Sequence, residues 1–127
     1  MFIQSKVQLF ENIDRKNDNL KIAKNVLNSF GERSDFPLIV DCLLGKEGTS
    51  VNEDGCSFPD DLDEDELYND YDGVPFEGVN CWYFDEEAIV PEDEFFKLLK
   101  EACQRYIELH PDKRNELEQI LSQSTLV

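Results

Sequence analysis

The sequence contains one histidine, one tryptophan and no lysine or arginine between Lys46 and Lys97. Each scarcity removes a class of chemistry. With His110 as the sole imidazole, a zinc site lacks a second nitrogen ligand and a Ser-His-Asp arrangement has no choice of base. His110 precedes Pro111 and reads instead as a residue at a helix junction. No glycine-rich phosphate loop is present. Cys42, Cys56, Cys81 and Cys103 show no C-x-x-C spacing and two of them fall on apolar faces, so all four are expected to be buried, reduced thiols. No apolar run approaches the roughly 20 residues that cross a bilayer. Met1-Phe2-Ile3-Gln4-Ser5-Lys6 lacks the apolar stretch of a secretion signal. The expectation is a cytoplasmic protein, a single domain over residues 1–127, large enough to bury about two-thirds of its unfolded surface.

What the chain has in abundance is acid. Twelve basic against twenty-nine acidic residues give a net charge of −17, and eighteen of the acids fall within positions 47–96. Outside that window the chain is close to neutral. Acidity is therefore a local feature, and its field should repel nucleic acid and anionic membrane while drawing in a basic partner.

The pattern around this window predicts an α+β fold, a small antiparallel sheet packed with N-terminal and C-terminal helices. Gly78-Val79-Asn80-Cys81-Trp82-Tyr83-Phe84 has strand composition, Asp85-Glu86-Glu87 a polar turn, and Ala88-Ile89-Val90 a second strand, giving a central hairpin at about 76–90. Pro91 and the acids Glu92, Asp93 and Glu94 suit the first turn of a helix. Phe95, Leu98, Leu99, Ala102, Cys103, Tyr106 and Ile107 then recur at helical period over about 91–109, and Pro111 opens a last helix to about 122 with Leu117, Ile120 and Leu121 inward. Upstream, Asn17-Asp18-Asn19 offers a cap, Leu20, Ala23, Val26, Leu27 and Phe30 share a face, and Gly31 supplies a terminal residue able to take positive φ, so a helix is expected at about 18–30. Ser34-Asp35, Pro37 and Gly45 favour a second helix at about 35–44. Thr49-Ser50-Val51 and Cys56-Ser57-Phe58 read as short strands about a turn at Asn52 to Gly55. Residues 1–16 show no clean period and fit either a strand or a short helix.

From Asp60 to Gly73 the chain is too acidic for a core strand, yet Leu62, Leu67, Tyr68 and Tyr71 would anchor it, so a loop pinned to the body is expected. Asp61, Asp63, Asp65 and Asp72 match four ligand positions of a calcium-binding loop. Glu66, however, stands where the sharp turn needs glycine, and Asp72 is shorter than the bidentate glutamate at the end. An acidic calcium-binding domain, and an adaptor for a basic peptide, remain as alternatives. Paired acids such as Asp60 with Asp61 or Glu86 with Glu87 could do acid–base work only in contrasting environments, and nothing separates one from the crowd. No enzyme activity, metal or cofactor is implied. Aromatic side chains Tyr68, Tyr71, Phe76, Trp82, Tyr83 and Phe84 flank the acids. Strand alternation sends Trp82 and Phe84 to one face and Cys81 and Tyr83 to the other.

Four stretches together resemble the immunity proteins of bacterial contact-dependent growth inhibition (CDI) systems, closest to those paired with ribonuclease toxins. They are Cys56-Ser57-Phe58-Pro59-Asp60-Asp61-Leu62, Phe76-Glu77-Gly78-Val79, Phe84-Asp85-Glu86-Glu87-Ala88-Ile89-Val90 and the run from Phe95 to Tyr106. The resemblance implies a non-enzymatic cytoplasmic protein that binds a toxin's C-terminal nuclease domain one to one and blocks its active site. Acid beside Tyr and Trp is also the composition of a hot spot for a cationic partner. The residues expected to make that contact are Asp60, Asp61, Asp63, Glu64, Asp65, Glu66, Tyr68, Asp70, Tyr71, Asp72, Glu77, Trp82 and Tyr83.

Overall fold

The computed structural model describes residues 9–11, 13–14, 16–51, 53–59 and 77–123. Two helices, α1 (Lys21–Gly31) and α2 (Phe36–Leu44), precede four strands, β1 (Thr49–Val51), β2 (Asp54–Ser57), β3 (Val79–Tyr83) and β4 (Glu86–Val90). A long helix α3 (Glu92–Leu109), a 3-10 turn (Pro111–Lys113) and α4 (Arg114–Ser122) follow. The strands form one antiparallel sheet in chain order, so this is the α+β arrangement expected, with the hairpin of β3 and β4 at its centre of sequence.

Helix α1 starts at Lys21, three residues after the expected start, with Leu20 at the cap position and Asp18 just ahead of it. Asp18 Oδ1 accepts the Leu20 N–H at 2.8 Å and Oδ2 takes the Lys24 ammonium at 2.5 Å, an arrangement that holds the Asp18 carboxyl below its ordinary pKa. Its end differs from expectation. Gly31 stays inside the helix without positive φ, and Glu32 closes it in right-handed geometry. Glycine is needed there for closeness, because a Cβ would lie 2.6 Å from Leu9 Cδ1. The segment before α1 is pinned at the same level: Asn28, itself buried, accepts the Phe10 N–H at 2.8 Å and donates to the Phe10 carbonyl at 3.0 Å. Likewise Gly45 ends α2 at ordinary negative φ, and the left-handed residue is Lys46, whose ammonium meets Glu92 at 2.7 Å.

The core is two-sided. Val79, Cys81, Cys56 and Val90 project from the inner face of the sheet and are buried, and α1 lies across β2, β3 and β4 with Ala23, Val26, Leu27 and Phe30 fully enclosed. Helix α3 packs against α1, and its seven predicted core positions are all buried, together with Phe96. Phe58, just past β2, meets Phe95 and Phe96 with ring centroids 6.1 Å away in each case. Helix α2 closes the opposite end, its Phe36 stacked on Tyr106 at 4.4 Å, and Leu117 of α4 is buried beside it in the same core.

The four cysteines are free thiols, three of them buried and Cys42 half-buried. Cys56 and Cys81 face each other across β2 and β3. Burial pushes the Cys81 and Cys103 thiols up to about 12. Because the folded pKa lies above the unfolded one, their contribution to stability is complete below about pH 9 and is lost as pH rises toward 12. A thiol-reactive dye at pH 8 should therefore label Cys42 alone in the native protein and all four cysteines after denaturation. Rapid native labelling of a second thiol would contradict this burial.

Gly78 enters β3 with φ +106, and a Cβ there would lie 2.4 Å from the Val90 carbonyl oxygen. Both the backbone conformation and the contact exclude a side chain, so Gly78→Ala should destabilise the protein by more than about 2 kcal/mol. A chemical denaturation curve checks it, and an unchanged midpoint would show that β3 and β4 can separate there.

Candidate functional site

Of the thirteen residues expected to contact a partner, ten lie outside the described residues, namely Asp60, Asp61, Asp63, Glu64, Asp65, Glu66, Tyr68, Asp70, Tyr71 and Asp72. The two points where the chain enters and leaves that segment are nonetheless fixed. β2 ends at Ser57, which is paired with Asn80 of β3, so Pro59 and Glu77 both lie at one end of the two central strands. Val90, the last residue of β4, pairs with Val79 at that same end and leads through Pro91 into Glu92, Asp93 and Glu94, the acidic first turn of α3. Acid from two parts of the chain, the exposed Glu77 and the first turn of α3, thus lies at one end of the sheet.

Trp82 and Tyr83 part company, as alternation requires. Trp82 lies on the outer face, opposite Gly55 on one side and Glu87 on the other. Its ring covers the glycine: a Cβ on Gly55 would be 2.6 Å from Trp82 Cζ2 and 2.8 Å from the Thr49 carbonyl oxygen. Trp82 is half-buried there. The outer face also carries Ile89, 49% exposed, and Asn80, whose amide donates to Glu87 at 3.3 Å. Tyr83 is on the inner face, half-buried in the last row of the sheet between Asp54 and Glu86.

Phe84 does not share the face of Trp82. The strand stops at Tyr83, and the turn consists of Phe84 and Asp85 rather than Asp85 to Glu87, leaving Glu86 and Glu87 in β4. Phe84 has φ +58. For a residue with a Cβ this costs about 1 kcal/mol. Its ring stands edge-on to Tyr83 at 4.7 Å and is 60% exposed. The turn between β1 and β2 lies alongside, for the Phe84 N–H donates to the Glu53 carbonyl at 3.1 Å. Asp54 is 7% exposed; the Ser29 hydroxyl donates to one carboxylate oxygen and the other has no hydrogen-bond partner among the described residues. Glu86 meets Lys21 at 3.5 Å. Phe84, Glu53, Asp54 and Asp85 were absent from the contact set read from sequence. The available signal was a bulky aromatic immediately before an acidic turn, a position that normally takes Gly or Asn.

A cavity of about 520 Å³ opens between the turn after α1 and the end of α3, lined by Arg33, Ser34, Tyr106, His110 and Lys113 among others. Among the described residues it does not gather the paired acids that catalysis needs, since Glu32 is the one carboxylate of those residues lining it. Arg33 is committed to Asp35 through contacts of 2.9 and 3.3 Å. His110 sits at the helix junction as expected, 4.4 Å from the ring of Tyr106. Burial, helped by Asp112, Glu116 and Asp35, pushes the Tyr106 phenol above its ordinary pKa. Among the described residues no group of three or more His, Cys, Asp or Glu side chains could hold a metal ion, and no helix is long and apolar enough to cross a membrane. The calcium-like spacing at 61–72 falls outside those residues.

The surface features that stand out are therefore carboxylates and open aromatics at the ends and outer face of a sheet, which is equipment for binding a protein. No curated protein matches the chain. The model of the CDI immunity protein family matches residues 19–121, from the approach to α1 to the last turn of α4. With four-fifths of its length matched, the chain belongs to the CDI immunity protein family.

Proposed function

We propose that this immunity protein neutralises a nuclease toxin, of ribonuclease type, by covering the toxin's basic active site with its acidic surface. CDI immunity proteins bind a cognate toxin protein, and the observation that carries the finer reading is the confinement of charge: eighteen acids and no lysine or arginine within 47–96, in a chain otherwise near neutral. A nuclease cleft must be cationic to hold phosphates, so a compact anionic surface can occupy it in place of RNA. Support also comes from the sheet, whose end gathers Glu77, Glu92, Asp93 and Glu94 around the attachment points of the acidic segment. The partner residues are Asp60, Asp61, Asp63, Glu64, Asp65, Glu66, Asp70, Asp72 and Glu77 as the charged set, with Tyr68, Tyr71, Trp82 and Tyr83 as aromatic anchors. Complex formation is one to one, in the cytoplasm, and involves no catalysis by the immunity protein.

Two experiments test this. Asp63→Lys combined with Asp65→Lys and Asp70→Lys should leave the protein folded, raise its melting temperature slightly by relieving repulsion, and weaken toxin binding at least a hundredfold. Undiminished binding by the folded triple variant at moderate salt would move the interface elsewhere. The association rate measured by stopped flow should fall steeply between low salt and about 0.5 M, where the Debye length has shrunk severalfold, while dissociation changes less. An association rate indifferent to salt would remove electrostatic steering.

A further inference from the structure

We propose that the two turns at the far end of the sheet form a second contact, a receptor for one arginine or lysine side chain of the cognate toxin, with Phe84 as its platform. This rests on the toxin being the partner, not on the toxin being a nuclease nor on the acidic segment covering its active site. The row Val51, Asp54, Tyr83 and Glu86 closes the sheet opposite the end that holds Glu77, so it is separated from Glu77 and the first turn of α3 by the length of β3.

The chemistry of this end points to a cation. Phe84 exposes an aromatic ring fixed by its backbone hydrogen bond to Glu53 and by its edge contact with Tyr83. Glu53 and Asp85 are exposed around it, Glu86 is exposed but already meets Lys21 at 3.5 Å, and Asp54 adds a buried carboxylate with one oxygen unpartnered among the described residues. A guanidinium or ammonium satisfies both demands at once, lying over the ring face while donating to the flanking carboxylates. A second copy of the chain does not fit, because it would bring the same carboxylates against these. Nor does the fold need the aromatic. Positive φ at the first turn residue and not at the second is the pattern of a type II′ turn, which prefers glycine there. A bulky apolar side chain kept at such a position serves something other than the turn.

The test measures the affinity of the full-length chain for its purified toxin domain, with a thermal melt of each variant. Phe84→Gly should melt at or above the wild-type temperature and bind at least tenfold more weakly, whereas Phe84→Tyr should bind within twofold of wild type. Glu53→Gln with Asp85→Asn, both exposed, should weaken binding several-fold and flatten its salt dependence. The triple lysine variant at 63, 65 and 70 is run beside them. Loss of binding by Phe84→Gly with normal binding by the triple variant would support this contact and defeat the acidic-segment reading. Phe84→Gly and the Glu53/Asp85 pair both binding within twofold of wild type would overturn the contact, whatever the triple variant does.

Discussion

Helix α1 lying across the inner face of β2, β3 and β4 is the contact from which the rest of the molecule takes its arrangement. Val79, Cys81, Cys56 and Val90 meet Ala23, Val26, Leu27 and Phe30 in one enclosed layer, and burying each large side chain contributes on the order of 2 kcal/mol. Once that face is committed, alternation along each strand decides where everything else goes. Trp82, Glu87 and Ile89 must face outward. At the strand ends the inward polar residues meet polar groups of α1 instead: Asp54 accepts from Ser29 and Glu86 meets Lys21, with Tyr83 half-buried between them. The sheet is thus a frame that holds its acids at two ends and one face, and of these only Asp54, bonded to Ser29, is buried among the described residues.

That separation resolves a conflict written into the composition. A net charge of −17 on 127 residues opposes compactness through self-repulsion. The chain tolerates it because the acids are concentrated in one window while the helices that build the core are nearly balanced in charge. Ion pairs among the described residues, such as Lys46 with Glu92 and Arg33 with Asp35, are on exposed surface, where water and salt screen them and their contribution is small. Stability comes from the apolar layers, and the uncompensated charge is left available to a partner. In a member of the CDI immunity family the partner is a toxin, for which fast capture matters as much as tight holding.

The helices and the hairpin were legible because their periodicities are strong and local: every position in the predicted stripe of α3 is buried, and the inner and outer faces of β3 follow from alternation. What was not legible depended on contacts between distant residues. Gly31 looked like a left-handed helix end but is a point of close approach to Leu9, and after α2 the left-handed residue is Lys46, one past the Gly45 that ends the helix. The turn after β3 came one residue early, since Tyr83 already pairs with Glu86, and this turned Phe84 from a strand residue into an exposed turn residue. Asp54 read as part of a turn and is instead a buried strand residue bonded to Ser29, because the hairpin of β1 and β2 closes in two residues. For the candidate site, sequence identified the acidic window and the aromatic neighbours; only the register of the sheet reveals that the acids fall at two opposite ends.

The central claim is that the toxin is gripped through the acidic ends and outer face of the sheet. Hydrogen–deuterium exchange of the immunity protein, free and saturated with its toxin domain, tests this most directly. Slowed exchange is expected at 60–77 and 82–87, with α2 and α4 unchanged. Protection confined to α2 and α4, around the exposed Leu38, with no change along the acidic window, would contradict it.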